Sequence, residues 1–210
     1  MTTMTMLTRR TALAAGLAIA AAPRLAHAAP AIGAPAPAFT LPDQDGTMRS
    51  LSEFRGKVVV LEWTNHDCPF VRKHYLSGNM QALQTLAKEK GVVWLSIASS
   101  PEGEQGFVTG PQARELTESR RANPTAVLLD HRSVAARAYA ATVTPHMFVI
   151  DGEGILRYMG GIDSIRSSRV EDVARAEPFL RDAMLAVVEG RTPERPVTQA
   201  YGCAIKYVGA

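Results

Sequence analysis

Cys68 sits where two kinds of sequence meet. Before it runs Val58-Val59-Val60-Leu61-Glu62-Trp63, a β-branched apolar stretch of the sort that fills a strand buried on both faces. After it comes Pro69, which suits the first position of a helix. A thiol at a helix N-terminus meets the positive end of the macrodipole and unpaired backbone N–H groups, a setting that lowers a thiol pKa. Arg72, Lys73 and His74 follow within two turns and add positive field, while Asp67 opposes it. The chemistry expected is nucleophilic: sulfur attack on a disulfide gives a mixed disulfide, and attack on a peroxide gives a sulfenic acid. A free cysteine is also common as a buried, inert filler, and the residues alone leave that alternative open.

Three further features carry chemical interest. Thr144-Pro145 immediately precedes an apolar run at 147–150, where a proline is tolerated only at the start of a strand. Glu62 is the one acid inside the apolar run, six residues before Cys68. Buried, such a carboxyl has a raised pKa and exchanges protons near neutrality; facing solvent or paired with a lysine, it does nothing of the kind. Cys203 is the only other cysteine, and two cysteines exclude a disulfide-dense scaffold and any four-cysteine metal site. There is no dinucleotide fingerprint, no Walker loop and no HExxH zinc motif.

The elements that must position these residues follow from periodicity. Phe39–Leu41 and Met48–Leu51 flank Pro42-Asp43-Gln44-Asp45-Gly46, predicting a hairpin, and Ser52–Phe54 a helical turn ended by Gly56. The helix after Cys68 is expected to break at Ser77-Gly78-Asn79, with Asn79 capping a second piece that turns Met80, Leu83 and Ala87 inward. Val92–Ala98 reads as a second buried strand, residues 99–110 as a loop and 112–121 as a polar helix. A short strand at 126–129, a helix at 133–140 and a hairpin around Asp151-Gly152-Glu153-Gly154 come next. Pro178–Glu189 forms a closing helix, and residues 191–210 read as an irregular tail. Buried strands alternating with helices indicate an α/β layer fold.

The first 28 residues read as an address. Arg9-Arg10 precedes an apolar run from Ala12 to Ala22, then Ala26-His27-Ala28, a small-residue cleavage site. The run is too short to span a bilayer, which needs ~20 residues. The arginine pair points to the twin-arginine export route, with an ordinary secretory signal as the alternative. Either delivers a mature chain, 29–210, to a periplasm or the cell exterior, with no membrane span left after cleavage. Removing the three arginines of this segment leaves 20 basic against 20 acidic residues, so the body lacks the basic surface that nucleic acid requires.

Over about residues 31–207 the sequence resembles the thioredoxin-like superfamily, in its redoxin or peroxiredoxin-like, AhpC/TSA-related branch. The resemblance rests on Gly33-Ala34-Pro35-Ala36-Pro37-Ala38-Phe39-Thr40-Leu41-Pro42-Asp43, on Leu51–Leu61, on Cys68-Pro69 and on Thr144-Pro145. It implies an α/β thioredoxin-like fold, a central mixed sheet flanked by helices with an N-terminal hairpin extension. It implies a cis Pro145 lying against Cys68, and a buried proton acceptor at Glu62. Gly202-Cys203-Ala204-Ile205-Lys206 is similar to a C-terminal element of a group with a single cysteine in the motif, and Cys203 is the implied resolving thiol. Val71 stands where thioredoxins have their second cysteine, and Leu61 and Asn65 replace the proline and hydroxyl residue of typical peroxiredoxins. The implied partners are a thiol or disulfide protein or a small peroxide, and an unknown electron donor, with no cofactor. Two other functions stay open: copper binding through His66, Cys68, His74 and His146, by analogy with thioredoxin-fold copper chaperones, and a silent binding module.

Overall fold

The computed structural model describes residues 30–209, so residues 1–28, read above as an export signal, lie outside the described residues. The chain opens with a hairpin of β1 (Thr40–Pro42) and β2 (Met48–Ser50), paired antiparallel, followed by a 3₁₀ turn at Leu51–Phe54. Then come β3 (Val59–Thr64), α1 (Pro69–Leu76), α2 (Asn79–Glu89) and β4 (Val93–Ala98). They are followed by α3 (Gly110–Ser119), β5 (Ala126–Leu129), α4 (Val134–Ala138) and β6 (Val143–Thr144). The chain ends with β7 (His146–Ile150), β8 (Leu156–Gly160), α5 (Phe179–Val188) and β9 (Cys203–Ala204).

Five strands form one mixed sheet in the order β5-β4-β3-β7-β8. β3 lies parallel to β4 and antiparallel to β7, at the centre. Being central, β3 is buried on both faces, which is why its sequence is an unbroken apolar run apart from Glu62. Its odd residues Val59, Leu61 and Trp63 pack with Tyr139, Phe148 and the hairpin residues Phe39 and Leu41. On the opposite face Val60 packs with Met80 and Leu83 of α2 and Leu180 and Met184 of α5. Each such aliphatic side chain contributes about 1.5–3 kcal/mol by leaving water.

Two sequence expectations need correction. The N-cap of α2 is Gly78, at φ 77°, not Asn79; the chain reverses through a left-handed conformation that glycine adopts freely. The Asn79 side chain turns back instead and meets His74 Nδ1 at 2.9 Å. The tail is not wholly irregular either: β9 pairs antiparallel with β6, Cys203 opposite Thr144 and Ala204 opposite Val143. Pairs this short leave no periodic trace in sequence.

Candidate active site

Cys68 is the N-cap of α1, at the C-terminal end of the central strand, where open α/β sheets place their sites. The loop that delivers it is tied down by Asn65, whose Oδ1 accepts from Asp67 N (2.9 Å) and whose Nδ2 donates to Gln105 O (3.3 Å). Arg120 donates to His66 O at 3.0 Å from the other side. The Cys68 thiol is fully buried and donates to the Thr144 carbonyl at 3.1 Å.

The Thr144–Pro145 peptide bond is cis. β6 ends at this bond, so the Thr144 carbonyl faces Cys68 while its backbone pairs with Cys203. The Thr144 hydroxyl is buried with no hydrogen-bond partner. Cys203 is only half-buried and lies beside Cys68; burial, then the Cys68 sulfur, pushes its thiol up to about 12. Both thiols are free. Gly202 makes the approach possible: a Cβ there, at φ 140°, would lie 1.8 Å from the Thr144 oxygen.

The structure thus brings Cys68, Thr144, Pro145 and Cys203 into one cluster. Glu62 lies in β3, six residues before Cys68, but its hydrogen bonds run elsewhere. Its Oε2 accepts from Trp94 Nε1 and Ser96 Oγ, both at 2.8 Å, and its Oε1 from Tyr75 OH at 2.9 Å. It is neither solvent-facing nor paired with a lysine, and burial pushes its carboxyl above the usual range, with these donors acting against the rise. Ser96, Tyr75 and Thr64 also line a cavity of about 40 Å³ that has His66 and Arg120 on its wall. That is room for a water or two.

The positive field expected from α1 is largely absent. Burial, with Lys73 adding to it, lowers the His74 pKa to about 3, so the ring is neutral. Lys73 is buried and fully engaged: its Nζ donates to Asp163 Oδ2 (3.1 Å), Ile165 O (3.0 Å) and Tyr201 OH (2.9 Å). Tyr201 in turn donates to Asp163 Oδ1. This network, two residues before Cys203, fixes the near end of the tail. Tyr207 fixes the far end by donating to the carbonyls of Ala136 and Ala141. Residues 202–206 form a strap between these two anchors.

The proposed copper ligands do not converge. His74 is held by Asn79 and Tyr201, and His146 packs on Phe148 with ring centroids 4.5 Å apart. Among the described residues no group of three or more His, Cys, Asp or Glu side chains is gathered to hold a metal. The sequence marks Lys73 only as a source of positive field and Thr144 only as part of the proline loop, and it gives no sign of Asp163 or Tyr201. Lys73 and Asp163 are 90 positions apart, and an isolated tyrosine in a Pro-containing tail gives no signal.

A central mixed sheet flanked by helices, a cysteine capping the helix after its middle strand and a cis-proline loop against that cysteine define the thioredoxin-like class. Residues 32–159 match the AhpC/TSA family model, and the chain belongs to that family. Among solved structures it is similar to an uncharacterized conserved protein from Geobacillus kaustophilus (TM-score 0.73, 24% identity, 86% of this chain and 94% of that one). It is equally similar to a hypothetical protein from Sinorhizobium meliloti 1021 (TM-score 0.72, 24% identity, 86% and 96%). The thioredoxin domain of a thiol-disulfide oxidoreductase from Bacteroides vulgatus is more distant (TM-score 0.50, 21% identity, 69% and 96%). These likenesses establish the fold. No curated protein matches the chain.

Proposed function

We propose that this protein is an exported thiol–disulfide oxidoreductase whose working couple is Cys68 and Cys203. The observation that carries the reading is the register of β6 and β9: Cys203 pairs with Thr144, whose carbonyl accepts from the Cys68 thiol at 3.1 Å. A distant cysteine thereby takes the place of the second cysteine that Val71 displaces.

Cys68 is buried, so the strap must lift for it to react. Cys68 then gives up its proton to solvent admitted by the lifted strap. The thiolate attacks one sulfur of the partner's disulfide; that S–S bond breaks, and the partner's leaving sulfur takes a proton. Cys203 next attacks the Cys68 sulfur and displaces the partner's second thiol. The partner gains two electrons and two protons, and the protein holds a Cys68–Cys203 disulfide that an external dithiol donor returns to the reduced state.

The test is peptide mapping after mixing the reduced mature protein with a disulfide peptide. Wild type should yield the Cys68–Cys203 cross-link, Cys203→Ser should accumulate a mixed disulfide on Cys68, and Cys68→Ser should give neither. A cross-link absent from wild type removes the resolving role of Cys203; full biological activity of Cys68→Ser favours the silent module.

Peroxide reduction is the second reading, favoured by membership of the AhpC/TSA family. The sulfenic acid formed on Cys68 would condense with Cys203 and release water. Stopped-flow oxidation by hydrogen peroxide, compared with the disulfide peptide, separates the two. Export by the twin-arginine route rests on Arg9-Arg10, and replacing both with Lys should strand precursor in the cytoplasm.

A further inference from the structure

We infer that the groove between the C-terminal ends of α1 and α3 is a docking site for an acidic segment, carrying an apolar anchor residue, of the protein whose disulfide Cys68 attacks. The inference rests on the exchange reading above. The groove, of about 420 Å³, is lined by Arg72, Arg120 and Arg121 around Tyr75 and Leu76, and no carboxylate lines it. None of the three arginines makes an ion pair among the described residues. Beyond the export segment the chain has as many acids as bases, so this concentration of like charge is local.

The groove is built rather than incidental. Arg120 is held over the Tyr75 ring, 4.9 Å from its centroid, and Gln81 Nε2 ties the walls by donating to Tyr75 O (3.0 Å) and Arg120 O (2.7 Å). Leu76, at 69%, is the most exposed large apolar side chain of the described residues and offers an anchor point. Arg121 is the most telling residue. It ends α3 at φ 52°, in the left-handed conformation where glycine is the usual choice, and so holds a guanidinium at the groove at the expense of backbone comfort. The groove is tied to the segment that carries Cys68: Arg72 lies one turn along α1 from Cys68, with its N–H on the Cys68 carbonyl (2.9 Å), and Arg120 grips the loop that delivers Cys68.

The probe is a fluorescein-labelled peptide in which four acidic residues flank one leucine, read by anisotropy against the full mature protein carrying Cys68→Ser. Controls are the same peptide with amides for acids, and with asparagine for leucine. At ionic strength of about 0.01 M the acidic peptide should bind at least tenfold tighter than the amide form, and the difference should collapse near 1 M. Arg72→Gln and Arg121→Gly should each weaken binding by about two- to fivefold. Arg121→Gly should keep or raise the melting temperature, so its loss of binding is not a loss of fold. Equal binding of acidic and amide peptides, full binding by both arginine variants, or equal competition by inorganic phosphate would each overturn the inference. The native-cysteine protein then separates it from the exchange reading. Reaction with acidic and neutral disulfide peptides at equal rates sinks the groove alone; reaction with neither sinks the exchange chemistry, while the binding result stands.

Discussion

Lys73→Met tests whether the buried network behind the strap holds the fold and the cysteine pair together. Lys73 Nζ lies 3.1 Å from the Asp163 carboxylate, and both side chains are buried. At an effective dielectric of about 20, that separation gives an attraction of about 5 kcal/mol. Removing the cation leaves Asp163 buried with Tyr201 OH, the Ile165 N–H and, at 3.8 Å, the His74 ring. Breaking one side of a buried pair costs about 3–5 kcal/mol, and a domain of this size loses about 2–4 °C of melting temperature per kcal/mol. We expect a fall of about 6–20 °C, followed by circular dichroism on the reduced mature protein. The double variant Lys73→Met/Asp163→Leu should recover much of the loss, because it buries no lone charge. Because Tyr201 loses a partner, Cys203 should also alkylate faster in the single variant. A single-variant cost below about 1 kcal/mol, or a double variant whose cost is the plain sum of the singles, would refute this account.

Gly202→Ala should displace β9, since its Cβ has no room against the Thr144 oxygen; mapping of oxidised protein should then find the Cys68–Cys203 cross-link forming more slowly, and an unchanged rate would show the strap is not held close. Thr144→Val removes a buried hydroxyl that has no partner in the reduced state, so stability should hold or rise; if that hydroxyl serves the Cys68 thiolate, exchange should slow about tenfold or more, and an unchanged rate excludes the role. Burial raises the Glu62 pKa above its unfolded value, so between the two values the folded state keeps a proton that the unfolded chain has released. That contribution is fully present below the unfolded pKa and is lost as pH rises through the folded one. Glu62→Gln should flatten this part of the profile in urea unfolding from about pH 4 to about pH 8, and identical slopes in the two proteins would contradict a raised carboxyl.

The strand–cysteine–helix junction was legible because three local signals coincide there: an apolar run, a cysteine and a proline at the first helical position. Pro145 was legible only through family resemblance, since nothing local distinguishes a cis proline from a strand-starting one. The charges of α1 misled for a physical reason. Arg72-Lys73-His74 reads as positive field around Cys68, yet helical geometry turns Lys73 and His74 inward, where a distant carboxylate and tyrosine receive the lysine and the imidazole stays neutral. Asn79 misled because asparagine is a favoured cap, whereas the preceding glycine takes the reversal. β9 was invisible because its partner strand is two residues long and lies sixty positions upstream.

In the exchange proposed above, the placement of the second thiol in the tail makes the redox couple a property of the folded chain. Two cysteines in one helical turn remain neighbours in a denatured polypeptide; Cys68 and Cys203 are neighbours only when the sheet, α5 and the tail are all in place. By chain entropy, closing a loop of about 135 residues stabilises the fold by roughly 5 kcal/mol. Reciprocally, folding makes the dithiol a stronger reductant than the same thiols in an unfolded chain, by on the order of 100 mV. A chain truncated before Gly202 would keep most of its sheet and lose half its couple. One reaching an oxidising compartment unfolded would have no special tendency to join these two sulfurs, so the bond, where found, certifies that the chain folded first.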